Sequence, residues 1–100
     1  GLGYLISADI FIEIEPGMIR QVADRLVSLE EVIYVALSTG DADISATVVA
    51  VDMRHLQTFI SDKLHSIPGV RKTRTQMLTE VLKQSYDWSF PLQVPEVSRV

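Results

Sequence analysis

The stretch that decides the fold is Leu5-Ile6-Ser7-Ala8-Asp9-Ile10-Phe11-Ile12-Glu13-Ile14. Ile6, Ala8, Ile10, Ile12 and Ile14 share one parity, while Leu5, Ser7, Asp9, Phe11 and Glu13 fall on the other. A period of two with so many β-branched residues predicts a strand with one wholly apolar face. The second face mixes hydroxyl, charged and aromatic groups, which makes Leu5 and Phe11 candidates for partial burial against another subunit.

Working outward, Pro16-Gly17 stops the strand, and Ile19, Val22, Ala23, Leu26 and Val27 recur at helical spacing up to about Leu29. Pro16 suits the first turn of that helix, where a missing N–H costs nothing. Val32 to Leu37 is apolar and β-rich and ends at the turn signal Ser38-Thr39-Gly40-Asp41. Ile44, Ala46 and Val48 then resume one face, with Thr47, Val49 and Val51 on the other, so the two segments predict an antiparallel hairpin. Asp52 is the expected N-cap of a second helix whose apolar stripe is Met53, Leu56, Phe59, Ile60 and Leu64. After Pro68-Gly69, residues 70–82 alternate as a further strand, with Val70, Lys72, Arg74 and Gln76 on one parity and Arg71, Thr73, Thr75 and Met77 on the other.

Strand, helix and strand thus occur twice, with an echo at an offset of 38 residues that matches Ile6 to Ile44, Ile10 to Val48 and Leu26 to Leu64. Two β-α-β halves with right-handed crossovers give an α+β βαββαβ domain: a four-stranded antiparallel sheet with both helices on one face. The opposite face then lacks cover within the chain, and a homodimer through Phe11, Val49 and Val51 is the expected solution. Residues 1–84 form this domain on the sequence reading. Residues 85–100, where Tyr86, Trp88 and Phe90 alternate before Pro91 and Pro95, read as an extension, an edge strand or an intersubunit arm, whose aromatics close one end of the core or else dock onto another subunit.

The 100 residues, 47% hydrophobic and 22% charged, suit a single globular domain. Without cysteine there is no disulfide scaffold, thiolate nucleophile or cysteine-bound metal. No apolar run approaches the roughly 20 residues of a membrane span and the first residues lack a signal-peptide pattern, so a soluble cytoplasmic chain is expected. The net charge of −4 divides unevenly: residues 1–52 carry nine acids and two bases, residues 53–100 seven bases and four acids. Such a chain has no general attraction for a phosphate backbone, and direct nucleic-acid binding is not expected.

Catalytic chemistry finds little support. His55 and His65 stand ten residues apart, not in the i, i+4 arrangement of a zinc helix, and read as solvated or locally hydrogen-bonded. Glu13 with Glu15, and Asp41 with Asp43, are carboxylate pairs whose spacing alone establishes neither acid–base work nor a metal site. No phosphate-binding glycine loop is present, and no cofactor or metal is expected. In Arg71-Lys72-Thr73-Arg74 the basic groups divide between the two faces of a strand.

Glu31-Val32, then Ser38-Thr39-Gly40-Asp41-Ala42-Asp43, Val51-Asp52 and Ile67-Pro68-Gly69-Val70-Arg71-Lys72-Thr73-Arg74-Thr75 form an ordered set that resembles the effector-binding domain of the leucine-responsive/AsnC family of transcriptional regulators. Gly1-Leu2-Gly3 is similar to the linker that enters this domain, and the resemblance covers residues 2–84. It implies a ferredoxin-like fold, dimers that assemble to tetramers or octamers, and an amino-acid effector held between dimers. Carried onto this chain, it implies effector-binding roles for Gly40, Asp41, Asp43, Thr73 and Thr75. Gly40 would allow close backbone approach, Asp43 would receive an ammonium or fix the turn, and Thr73 and Thr75 would offer hydroxyls to a carboxylate or a neighbouring chain. DNA would be reached only through a helix-turn-helix domain that this sequence lacks, or through a partner regulator. The alternatives are a dimeric α+β barrel monooxygenase, which needs a polar pocket between sheet and helices, and a purely structural assembly module.

Overall fold

The computed structural model describes residues 5–84. The expected aromatic extension and the Gly1-Leu2-Gly3 approach lie outside the described residues. The chain order is β1 (Ile6–Ile14), α1 (Ile19–Val27), β2 (Val32–Leu37), β3 (Ile44–Ala50), α2 (Met53–Thr58), which continues as a π-helical turn over Phe59–Leu64, and β4 (Val70–Leu78). The strands form one antiparallel sheet in the order β2-β3-β1-β4. This is the α+β βαββαβ architecture expected from the repeated strand-helix-strand pattern, and the ferredoxin-like fold that the family resemblance implied.

The alternation in β1 sorts its side chains as its sequence demands: Ala8, Ile10, Ile12 and Ile14 are buried, as are Ile44, Ala46, Val48 and Ala50 of β3. Val22, Ala23 and Leu26 of α1 pack onto them together with Leu56, Phe59 and Leu64 of the second helix. Burial of this one face is the main stabilising term, at roughly 25 cal/mol per Å² of apolar surface. Asp52 caps the second helix as predicted, accepting from the His55 backbone N–H at 2.8 Å.

Several expectations are corrected. Pro16 lies in a turn ahead of α1, because Gly17 adopts a left-handed φ of 86° that interrupts any helix beginning before it. Val27 is 68% exposed and stands outside the apolar stripe. The second helix is not uniformly α: the His65 N–H bonds to the Ile60 carbonyl at 3.0 Å, closing a wider turn. At about 100° per residue in an α-helix, Phe59 and Leu64 would diverge; the widened turn lets both enter the core. The last strand ends at Leu78 rather than 82. A bulge also shifts its pairing, with Glu13 opposite Lys72 but Ile14 opposite Val70. Arg71 is the extra residue, so Val70 packs against the core while Lys72 and Arg74 occupy the open face.

One buried charge fastens the second helix to the approach to β2. Glu31, 7% exposed, precedes β2; its carbonyl accepts the Val49 N–H at 2.9 Å. Lys63 Nζ donates to both of its carboxylate oxygens at 3.0 and 2.9 Å, and His55 Nε2 approaches Oε2 at 3.1 Å. His55 Nδ1 accepts the Val51 N–H at 3.0 Å, which assigns the ring proton to Nε2, facing Glu31. Burial pushes the Glu31 carboxyl up, but the hydrogen bonds from Lys63 and His55, with its backbone contact and the lysine charge, outweigh it and hold the group below its ordinary value.

A carboxyl held low stabilises the fold fully above its unfolded pKa, and the contribution disappears as pH falls through the folded value. Glu31→Gln is therefore expected to lose about 1–2 kcal/mol at pH 7, allowing for the partial exposure of Lys63. Urea unfolding at pH 7 and pH 3 should show this gap narrowing at the lower pH, as the native carboxylate takes up its proton. An equal gap at both pH values would contradict the ion-paired role.

Candidate ligand site at the open face

The open face of the sheet carries the other parity: Ser7, Asp9, Phe11 and Glu13 of β1, Ser45, Thr47 and Val49 of β3, and Lys72, Arg74 and Gln76 of β4. Phe11 and Val49 are partly exposed, and Val51 lies one residue beyond β3 at 62% exposure. Thr47 Oγ1 donates to Asp9 Oδ1 at 2.8 Å, satisfying the acid nearest the centre of this face.

Two shallow depressions, about 170 and 240 Å³, lie where this face meets the β2–β3 turn. Phe11, Asp41, Ala42 and Arg74 line both. Glu13, Lys72 and Thr73 complete the smaller, Ser38, Thr39 and Ser45 the larger. Arg74 stands opposite Phe11 in the ladder, and its guanidinium carbon lies 4.9 Å from the ring centroid, a cation–π contact. Lys72 stands opposite Glu13. Among the described residues, neither Lys72 nor Arg74 comes within ion-pair distance of a carboxylate, although Arg71 approaches Glu15 at 3.7 Å.

The residues suggested by sequence divide by position. Asp41 and Thr73 line the smaller depression. Gly40 supplies the turn beside it with φ at +116°, where a side chain would be strained although a Cβ would meet open space. Asp43 is engaged in the fold: its Oδ2 accepts the Ile14 N–H at 2.8 Å, and its own N–H donates to the Ile12 carbonyl at 2.9 Å. The Ser38 N–H closes the turn onto the Asp43 carbonyl. Thr73 and Thr75 share a face, as their spacing implied, but they pair with Ile12 and Ile10 and so belong to the helix side of the sheet. The Thr73 hydroxyl lies 3.0 Å from His65 Nε2. Phe11 was foreseen as an interface residue, but its place in the depression was not, nor were those of Glu13, Lys72 and Arg74. Alternation put Phe11, Glu13 and both cations on single faces; only the register shows that these faces coincide.

The space between sheet and helices, where an α+β barrel enzyme would need its polar pocket, is filled by Ile10, Ile12, Val22, Leu26, Phe59 and Leu64. Asp43→Ala leaves the Ile14 N–H without its charged acceptor and is expected to destabilise the domain by about 1–3 kcal/mol in urea unfolding. Unchanged stability would remove the anchoring role of this carboxylate.

Residues 7–88 match the Lrp/AsnC ligand binding domain. An uncharacterized HTH-type transcriptional regulator of Pyrococcus furiosus is 40% identical over 84 residues, covering 84% of this chain and 57% of the relative. The chain thus spans a little over half the length of such relatives. In fold it is similar to E. coli AsnC, with a TM-score of 0.80 and 23% identity over 85% of this chain and 58% of that one. It is also similar to a Neisseria meningitidis transcriptional regulator in complex with L-Met, with a TM-score of 0.77 and 24% identity over 90% and 58% of the two chains. The protein therefore belongs to the Lrp/AsnC family of transcriptional regulators, and this chain carries the family's ligand-binding domain.

Proposed function

We propose that residues 1–84 sense a free amino acid at the rim of the open sheet face and pass its presence to the assembly of a transcriptional regulator. The observation that carries this reading is the smaller depression, lined by Glu13, Asp41, Lys72 and Arg74 beside the Phe11 ring, with none of the four charged groups in an ion pair among the described residues. Charges of both signs flanking an apolar surface suit a zwitterion with a side chain. In this reading Asp41 receives the ammonium group, while Gly40 and Asp43 shape and hold the turn that presents it. Thr73 borders the site, and Thr75, exposed on the edge strand, offers its hydroxyl to a neighbouring dimer. The L-Met complex of the structurally similar Neisseria regulator supports an amino acid as the ligand class.

The partner in this reading is a second copy of the chain, packed on the face that contains Phe11, Val49 and Val51. Dimers then assemble further, to tetramers or octamers, in the cytoplasm. DNA contact belongs to a helix-turn-helix part of the regulator, as the description of the Pyrococcus relative suggests. Among the described residues no helix is long and apolar enough to cross a membrane.

Calorimetric titration of the chain with each of the twenty L-amino acids tests the proposal. At least one should bind saturably, and Asp41→Asn should weaken it by about 1–3 kcal/mol, a loss of roughly 5- to 150-fold. No saturable heat from any amino acid, in a sample that assembles, would reject amino-acid sensing.

A further inference from the structure

We infer that Arg74 is the carboxylate receptor and specificity-determining residue of this site, and that Phe11 is its positioning residue. This rests on the sensing role proposed above and deepens it. Arg74 borders both depressions, and its register partner across the β1–β4 ladder is Phe11, which borders both as well. The guanidinium sits over the ring at 4.9 Å, and among the described residues it has no carboxylate partner.

A guanidinium that meets an aromatic ring by a cation–π contact spends no N–H donor on a carboxylate, and among the described residues none takes one from Arg74. Those donors match the two oxygens of a carboxylate, and the ring limits the side-chain freedom that would otherwise be lost on binding. Lys72, opposite Glu13 on the same side of the sheet, adds positive charge without that fork. The alternative, that Arg74 is a solvated edge cation, leaves unexplained why its contact is with the aromatic side chain that, among the described residues, lines both depressions. Phe11 is also central to the face expected to meet a second chain. An unpaired cation covered by that chain would be costly, so a bound carboxylate at Arg74 would favour closure of the face.

Nuclear magnetic resonance of the isotope-labelled chain tests the inference with sodium acetate, at ionic strength held constant with chloride. The Arg74 Nε–H resonance should move saturably with acetate and remain still in chloride, while that of exposed Arg54 follows neither. Phe11→Leu should weaken the apparent acetate affinity at least threefold, and Arg74→Lys should abolish the preference for acetate over chloride at the backbone amides of Asp41 and Ala42. A linear Arg74 shift like that of Arg54, or an unchanged affinity in Phe11→Leu, would overturn the assignment.

The same sample separates this inference from the sensing role. If acetate saturates Arg74 but no L-amino acid binds more tightly than acetate, amino-acid sensing fails and the receptor assignment stands. If an L-amino acid binds while the Arg74 resonance is unmoved, the receptor assignment fails and sensing stands.

Discussion

Every other feature of this domain depends on the strict two-residue alternation of β1 and β3, the central strands of the sheet. Because Ala8, Ile10, Ile12 and Ile14 face the same way as Ile44, Ala46, Val48 and Ala50, both helices are drawn to one side. A one-residue slip would send this apolar set into water. The register also decides what the opposite side holds: Asp9, Phe11 and Glu13 from β1, Ser45, Thr47 and Val49 from β3, and the cations of β4. A sheet packed on one side only is stable enough to fold, yet it leaves a face on which a mixture of apolar and charged groups is free to recognise something else.

Two local devices fix that face relative to the turn that borders the site. Asp43 continues the β1–β3 ladder with a side-chain oxygen, accepting the Ile14 N–H, so the β2–β3 turn is tied to the end of β1. The bulge at Arg71 then rotates β4 so that Lys72 and Arg74, rather than their neighbours, stand beside Glu13 and Phe11. On the other side of the sheet Glu31 joins the approach to β2 to the second helix through Lys63 and His55. That cluster is polar and buried, but its bonds are spent within the fold.

Much of this architecture is legible in the sequence because it is written in local periodicity. The parity of β1, the hairpin, the stripe of α1 and the Asp52 cap all depend on residues within a few positions of one another. What escapes is of longer range or irregular. Alternation in residues 70–78 gives no sign of the bulge, which reverses the face of Val70 relative to Lys72. A helical stripe does not announce the widened turn at Phe59–Leu64. Asp43 reads equally well as a ligand contact or a turn anchor until Ile14 is seen 2.8 Å away, and Glu31 has no local pattern to mark it as buried. Family resemblance pointed to the β2–β3 turn and the β4 threonines, whereas the side chains that gather at the depression include Phe11, Glu13, Lys72 and Arg74, whose proximity is a product of strand order.

In the proposed assembly, the face left bare by this sheet is completed by another copy of the same chain. Sedimentation equilibrium of the wild type beside a Phe11→Asp, Val49→Asp double variant tests it most directly, with far-ultraviolet circular dichroism confirming that both retain the fold. A dimer or a multiple of it is expected for the wild type at micromolar concentration, and a monomer for the variant. A monomeric wild type, or a folded variant with the wild-type mass, would contradict it.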